Sequence, residues 1–173
     1  MFFIQMSGIP GTGKSTLAKA ISENFDIVIV DHDTTKTALL EKLDNHLSNK
    51  ILGQVSYHLD WEFIESLLIQ NKNIIFDSPC LYSEIVEKGM YLARKYGYTY
   101  KYIECINENF MEVEERLSSR KSKLSQISKY KSYDIFVQAL NGSKRPNDDN
   151  YIIVNSSKKI ESYLSDVMDY IQE

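Results

Sequence analysis

Eight consecutive residues hold the clearest chemistry in this chain: Gly8-Ile9-Pro10-Gly11-Thr12-Gly13-Lys14-Ser15, followed by Thr16. They fit G-x-x-x-x-G-K-[ST], a pattern whose parts each have a physical reason. Glycines at 8, 11 and 13 permit positive φ, so backbone N–H groups can turn toward phosphate oxygens. A helix opening at Gly13–Lys14 aims its positive dipole end at the same place. Lys14 brings an ammonium to the β- and γ-phosphates, and Ser15 offers a hydroxyl to Mg²⁺. Gly8, Gly11, Thr12, Gly13, Lys14, Ser15 and Thr16 are therefore the expected binding residues for ATP. The alternative is a Gly-rich turn that happens to contain Lys-Ser.

Carboxylates recur after the next apolar runs. Asp31-His32-Asp33-Thr34-Thr35-Lys36 follows one of them. At the carboxyl ends of strands in an open sheet, such groups reach ligands. Asp33 is the candidate base for an acceptor hydroxyl, and Asp31 a candidate Mg²⁺ ligand. Asp33 could also simply cap the helix that follows. His32, His46 and His58 match no metal spacing and read as structural, with His32 expected to be exposed. Asn73-Ile74-Ile75-Phe76-Asp77-Ser78 ends an apolar run in Asp, which suits a residue orienting Mg²⁺; its plain alternative is a turn before Pro79.

Positive charge is concentrated. The stretch from Arg116 to Lys131 carries six basic residues and no acidic one, so the rest of the chain is left at −10. Arg116 and Arg120 lie four apart on an expected helix, hence on one face, where guanidinium groups could close over a transferring phosphoryl. Lys121, Lys123, Lys129 and Lys131 read as solvated surface lysines. A nucleic-acid patch is the competing reading of the segment, with thin aromatic interleaving from Tyr130 and Tyr133. Arg145, in Gly142-Ser143-Lys144-Arg145-Pro146, is placed either as a nucleotide-base-stacking residue or as part of a plain turn.

These residues need a scaffold. Apolar runs at 2–6, 27–30, 73–76, 99–106 and 151–154 read as strands. Helical spacing is expected over 14–24, 34–48, 55–71, 83–96, 109–120 and 158–171, with Gly97 as a stop. In 55–71 the apolar face is assigned to Leu59, Phe63, Leu67 and Leu68. Strand–helix alternation argues for a parallel sheet covered on both faces. With 173 residues, 43% of them apolar, the chain suits one domain, 1–173, with a lid around 109–135. The net charge of −4 excludes a globally basic nucleic-acid binder. No apolar run approaches the ~18 residues of a membrane span. The opening MFFIQMSG lacks a basic region and a cleavage site, so no signal peptide is expected. Two cysteines, Cys80 and Cys105, fit a reduced cytoplasmic chain.

Taken together, these motifs resemble the small "AAA domain" family of P-loop kinase-like proteins, which is similar to polynucleotide 5′-hydroxyl kinases and zeta-toxin kinases. The resemblance rests on Gly8 to Thr16, on Asp31-His32-Asp33-Thr34-Thr35-Lys36, on Ile75-Phe76-Asp77-Ser78, on Glu114-Glu115-Arg116-Leu117-Ser118-Ser119-Arg120 and on the closing strand and helix after Tyr151. It implies a five-stranded parallel sheet in the order 2-3-1-4-5, with Asp33 as base and Lys36 where an Arg is more usual. It also implies an ATP- and Mg²⁺-dependent kinase acting on a hydroxyl of a small molecule or a nucleic acid. The acceptor wall is expected between Thr37 and Trp61. Two other functions compete: a nucleotide-hydrolysing switch with no acceptor, and a nucleic-acid-end binding protein. No Asn-Lys-x-Asp element of a GTPase occurs.

Overall fold

The computed structural model describes residues 1–43, 47–147 and 150–173, so His46 lies outside the described residues. Five strands form one parallel sheet: β1 (Phe2–Ser7), β2 (Ile27–Asp31), β3 (Asn73–Asp77), β4 (Thr99–Ile106) and β5 (Tyr151–Asn155). Their order is β2-β3-β1-β4-β5, the order expected. Seven α-helices are described: α1 (Lys14–Ser22), α2 (His32–Lys42), α3 (Asn49–Ile69), α4 (Ser83–Tyr96), α5 (Phe110–Ser119), α6 (Tyr133–Leu140) and α7 (Leu164–Gln172), with a short 3₁₀ turn at Ile160–Ser162. Among the described residues no helix is long and apolar enough to cross a membrane.

Side chains alternate across the central strands and build two cores. Phe3, Ile74, Phe76 and Tyr102 point to one face, where Ile64 and Leu68 of α3 and Leu92 and Ala93 of α4 cover them. Ile4, Met6, Ile75, Ile103 and Cys105 point to the other, covered by Leu17, Ala18 and Ile21 of α1 and Val167 and Ile171 of α7. The continuous apolar strands are thus explained by burial on both sides. A third, smaller cluster joins Ile9 of the glycine-rich loop to Val113 and Leu117 of α5, Tyr130, and Phe136 of α6. Cys80 and Cys105 are free and buried. Burial pushes their thiols up to about 11 and about 12.

Several helix limits differ from the sequence expectation, and caps account for most of the difference. The Asp31 side chain accepts the Asp33 N–H at 2.9 Å, so α2 starts at His32 and Asp31, not Asp33, is its cap. Ser48 caps α3, which therefore begins at Asn49 rather than 55. The buried face of α3 is Leu52, Ser56, Asp60, Trp61, Ile64 and Leu68, whereas Phe63 is 59% exposed. The expected apolar face was thus rotated by about one position. Helix α6 was not expected; Ser132 caps it by accepting the Ile135 N–H at 3.3 Å. Gly97, at φ +72, ends α4 as expected.

Candidate active site

The loop between β1 and α1 turns through positive φ at Gly8, Gly11 and Gly13. Gly8 tolerates no side chain, because a Cβ there would stand 2.2 Å from the Cys105 carbonyl oxygen of β4. Gly13, at φ +82, opens α1 and lies beneath the guanidinium of Arg116. The buried Thr12 hydroxyl donates to the Ile9 carbonyl at 2.8 Å, and the Lys14 ammonium donates to the same oxygen at 3.2 Å. The loop is thereby closed on itself by its own residues, with Lys14 held at its mouth.

The sheet brings the carboxylates to this loop. Asp31 and Asp77 are register partners at the ends of β2 and β3, and Asp77 is also paired in register with Met6 of β1. Asp77 is only 5% exposed. Burial raises its carboxyl above the ordinary range, against the lowering influence of the Lys14 charge and the Ser15 hydroxyl. Burial would also raise Asp31, but the hydrogen bond and charge of Lys123, with Thr34 and the Asp33 N–H, outweigh it and hold that carboxyl low. The Ser15 hydroxyl with these two carboxylates is a hard-oxygen donor set. It fits Mg²⁺, which keeps water and phosphate oxygens and needs only one or two carboxylates from a protein.

The basic segment folds back over these residues. Arg116, on α5, donates to the Ser156 carbonyl at 2.6 Å and to Glu112 at 2.5 Å, spanning from α5 to the loop after β5. Arg120 donates to the Ile127 carbonyl at 3.0 Å, while its Nε is buried without a partner. Lys123 is not a solvated surface lysine: its ammonium pairs with Asp31 and donates to Thr34 at 2.6 Å. Gln126 donates to the Asp33 carboxylate at 2.7 Å, and the Ser125 hydroxyl donates to the Asp33 carbonyl at 3.0 Å. Ser125 and Thr37 are joined as well, at 2.9 Å. The Tyr130 hydroxyl donates to the Pro10 carbonyl, tying the segment to the glycine-rich loop. Lys129 and Lys131 are exposed, as expected.

One cavity of about 1470 Å³ gathers most of the candidates: Gly11, Gly13, Lys14, Ser15, Thr16, Asp31, Asp33, Asp77, Arg116 and Arg120 all line it. Arg145 is not among its lining residues; it pairs with the buried Glu104 at 2.5 Å, and its guanidinium lies 5.7 Å from the Tyr151 ring centre. One stretch of wall went unrecognised in the sequence. Lys158, Lys159, Ile160 and Tyr163, after β5, line the cavity beside Ser156. The rule that ligands sit at strand carboxyl ends pointed there too, yet no residue pattern marked them. From α3 come Tyr57, His58 and Trp61, within the expected acceptor stretch, together with Asn49 and Lys50. His32 is buried rather than exposed, because its ring is bonded to Asp60 and stacked on Tyr57.

A parallel five-stranded sheet with a phosphate-binding loop after its central strand, and carboxylates at the ends of the two strands on one side of it, defines a P-loop nucleotide-binding protein. The chain belongs to the AAA domain family, whose pattern matches residues 3–131. No curated protein matches it in sequence. Among solved structures it is similar to a candidate kinase from Chloroflexus aurantiacus, with TM-score 0.76 and 16% identity over 99% of this chain and 98% of that one. A sugar kinase from Janibacter sp. HTCC2649 gives 0.71 and 12% over 99% and 95%. An APS kinase from Mycobacterium tuberculosis, in complex with AMPPNP and APS, gives 0.61 and 12% over 99% and 98%. At these identities the likeness is one of fold.

Proposed function

We propose that the protein is a kinase that moves the γ-phosphoryl of ATP to a hydroxyl of an acceptor, with Mg²⁺. The observation that carries this reading is a single cavity lined at one end by the phosphate loop and Arg116 and elsewhere by Asp33 and the α3 wall. Its volume exceeds the roughly 300–1,000 Å³ of a site for one small molecule, which suits two substrates side by side. The fold relatives named as kinases support the same reading.

In this reading the backbone N–H groups of the loop and Lys14 hold the β- and γ-phosphates. Ser15, Asp77 and Asp31 would hold Mg²⁺, which would supply charge that neutralises the phosphates when bound. Asp33 accepts the proton of the acceptor hydroxyl as that oxygen bonds to γ-phosphorus and the bond to the ADP oxygen breaks. Arg116 and Arg120 stabilise the charge that spreads over the transferring group. Segment 120–132 serves as the lid, and it must lift from Asp33 before an acceptor hydroxyl can take the place of Gln126. Because Arg116, Arg120 and Lys123 turn inward, the basic segment offers fewer cations to a nucleic-acid backbone than its sequence suggests.

The test is Mg²⁺-dependent ATP consumption with and without a pool of hydroxyl compounds that includes a 5′-hydroxyl oligonucleotide. Turnover stimulated by the pool is expected in the wild type and should be lost in Lys14→Ala and Asp33→Asn. Acceptor-independent hydrolysis that survives Asp33→Asn would instead identify a nucleotide-hydrolysing switch.

A further inference from the structure

Gln5 is a polar residue on the central strand β1, wholly buried beside the apolar Ile4 and Met6. Both ends of its amide are engaged. Nε2 donates to the Sγ of Cys80 at 3.1 Å and to the Ile85 carbonyl at 3.1 Å. Oε1 accepts the Tyr100 hydroxyl at 2.7 Å. Helix α4 comes so close here that a Cβ on Gly89 would stand 2.1 Å from Oε1.

Cys80 is a residue that needs holding. Its φ of +48 lies in the left-handed region, which is costly for a side chain with a Cβ and persists where surrounding contacts impose it. Its sulfur accepts from Gln5 and donates to the Met6 carbonyl at 3.2 Å, and its own carbonyl accepts the Lys144 N–H at 3.1 Å. The Ser7 hydroxyl donates to the Pro79 carbonyl at 3.4 Å. The turn between β3 and α4 is thus fastened to β1 at Gln5, Met6 and Ser7, the three residues immediately before Gly8 of the phosphate loop. That turn is also cavity wall. Ser78, Pro79, Leu81 and Tyr82 line the cavity, and Ile85 on the first turn of α4 lines it too. Ile85 belongs to the same core cluster as Tyr57 and Trp61 of the α3 wall. Gln5 and Cys80 stand behind this wall, not in it.

An apolar side chain of equal length would fill the same space and need no partners. What the amide adds is direction, since a fully satisfied buried network fixes one arrangement. Strand β1 carries the phosphate loop at its end and, through Gln5, sets where the turn stands relative to that loop. Two reacting atoms must come within about 3–3.5 Å, so the spacing of the two walls decides whether bound substrates meet. We propose that Gln5 is a positioning residue for the phosphoryl acceptor: it holds the 78–82 turn and the start of α4 at a set place relative to the phosphate loop, and so shapes the acceptor part of the cavity without touching either substrate. The proposal rests on the kinase reading for the acceptor, but not for the fastening of the turn.

The experiment uses the full chain and Gln5→Met, which keeps the length of the side chain and removes its donor and acceptor. Alkylation by iodoacetamide is followed at each thiol by mass spectrometry. Cys80 lies in the core on one face of the sheet and Cys105 in the core on the other. In Gln5→Met, Cys80 should label at least fivefold faster, with Cys105 unchanged. Equal acceleration at both thiols, which is a general loss of stability, or no change at Cys80 would overturn the proposal. Turnover is then measured with the 5′-hydroxyl oligonucleotide or whichever other member of the pool stimulates it. The KM for that acceptor should rise at least fivefold, with the KM for ATP and the Kd for Mg²⁺·AMPPNP within twofold of wild type. Ile171→Ala, at a buried position of α7, is the control for stability and should leave both KM values within twofold. Tyr100→Phe, which removes only the donor to Oε1, is the milder variant and should shift Cys80 labelling and acceptor KM the same way by at least twofold; it decides the matter if Gln5→Met does not fold. An acceptor KM unchanged in these variants, or raised equally in Ile171→Ala, would overturn the proposal. Faster Cys80 labelling in a protein that consumes ATP with no acceptor would leave the fastening of the turn standing and remove the kinase reading together with the acceptor role.

Discussion

Replacing Lys123 with methionine tests how the segment after α5 is connected to the nucleotide site. The Lys123 ammonium is bonded to Asp31 and to Thr34, and methionine keeps the aliphatic stem without the charge. Any cation that uses Asp31 must first displace that ammonium. The pair is partly exposed, 37% on the lysine side chain and 28% on the aspartate, so solvent screens it and its worth falls to about 0.2–1 kcal/mol. Removing the competitor should return that amount to metal-dependent binding, a tightening of about 1.4- to 5-fold in Kd. The assay is titration calorimetry of AMPPNP with Mg²⁺ and again with EDTA. The gain should be confined to the Mg²⁺ series. Weaker binding in Lys123→Met, or the same gain with EDTA, would refute the reasoning and make Lys123 a phosphate ligand or a bystander.

Three further outcomes follow from the geometry. Asp77 has a folded-state carboxyl raised by burial, so its contribution to stability is fully present below the unfolded value and is lost as pH rises through the folded one. Asp77→Asn should thus be more stable than wild type to urea at pH 7, by about 1.4 kcal/mol per pH unit of displacement, with the gain shrinking toward pH 4, while Mg²⁺-dependent nucleotide binding is lost. Gly8→Ala should cost about 2–4 kcal/mol in urea unfolding and abolish nucleotide binding, because its Cβ would meet the Cys105 carbonyl; an unchanged midpoint would contradict the loop geometry. Ile64→Ala, at a wholly buried position of α3, should lower stability by about 2–5 kcal/mol and leave AMPPNP affinity within about twofold of wild type.

The strands were legible because burial on both faces leaves mostly apolar runs, and because β2 and β3 end in Asp31 and Asp77. The phosphate loop was legible because few residue types permit its backbone. The α3 face was misread because Asp60 and Ser56 are polar yet buried, satisfied by His32, Thr35 and the Leu52 carbonyl, while Phe63 is apolar yet exposed. Local pattern cannot show a pairing 28 residues apart. Lys123 was misread for the same reason, since its partner lies 92 residues earlier in the chain. Arg145, whose type suits either stacking on a base or a plain turn, likewise has a partner that local pattern could not show, Glu104, 41 residues earlier in the chain.

The two cysteines have a practical consequence. Each is buried, and thiols pushed up to about 11 and about 12 stay protonated near neutral pH, so neither attacks an alkylating reagent readily. The wild-type chain is therefore a silent background for chemical labelling. Leu124, 64% exposed in the segment that covers Asp33, makes room for a single introduced cysteine. A fluorophore there would report the segment's lifting in real time, without first removing native thiols.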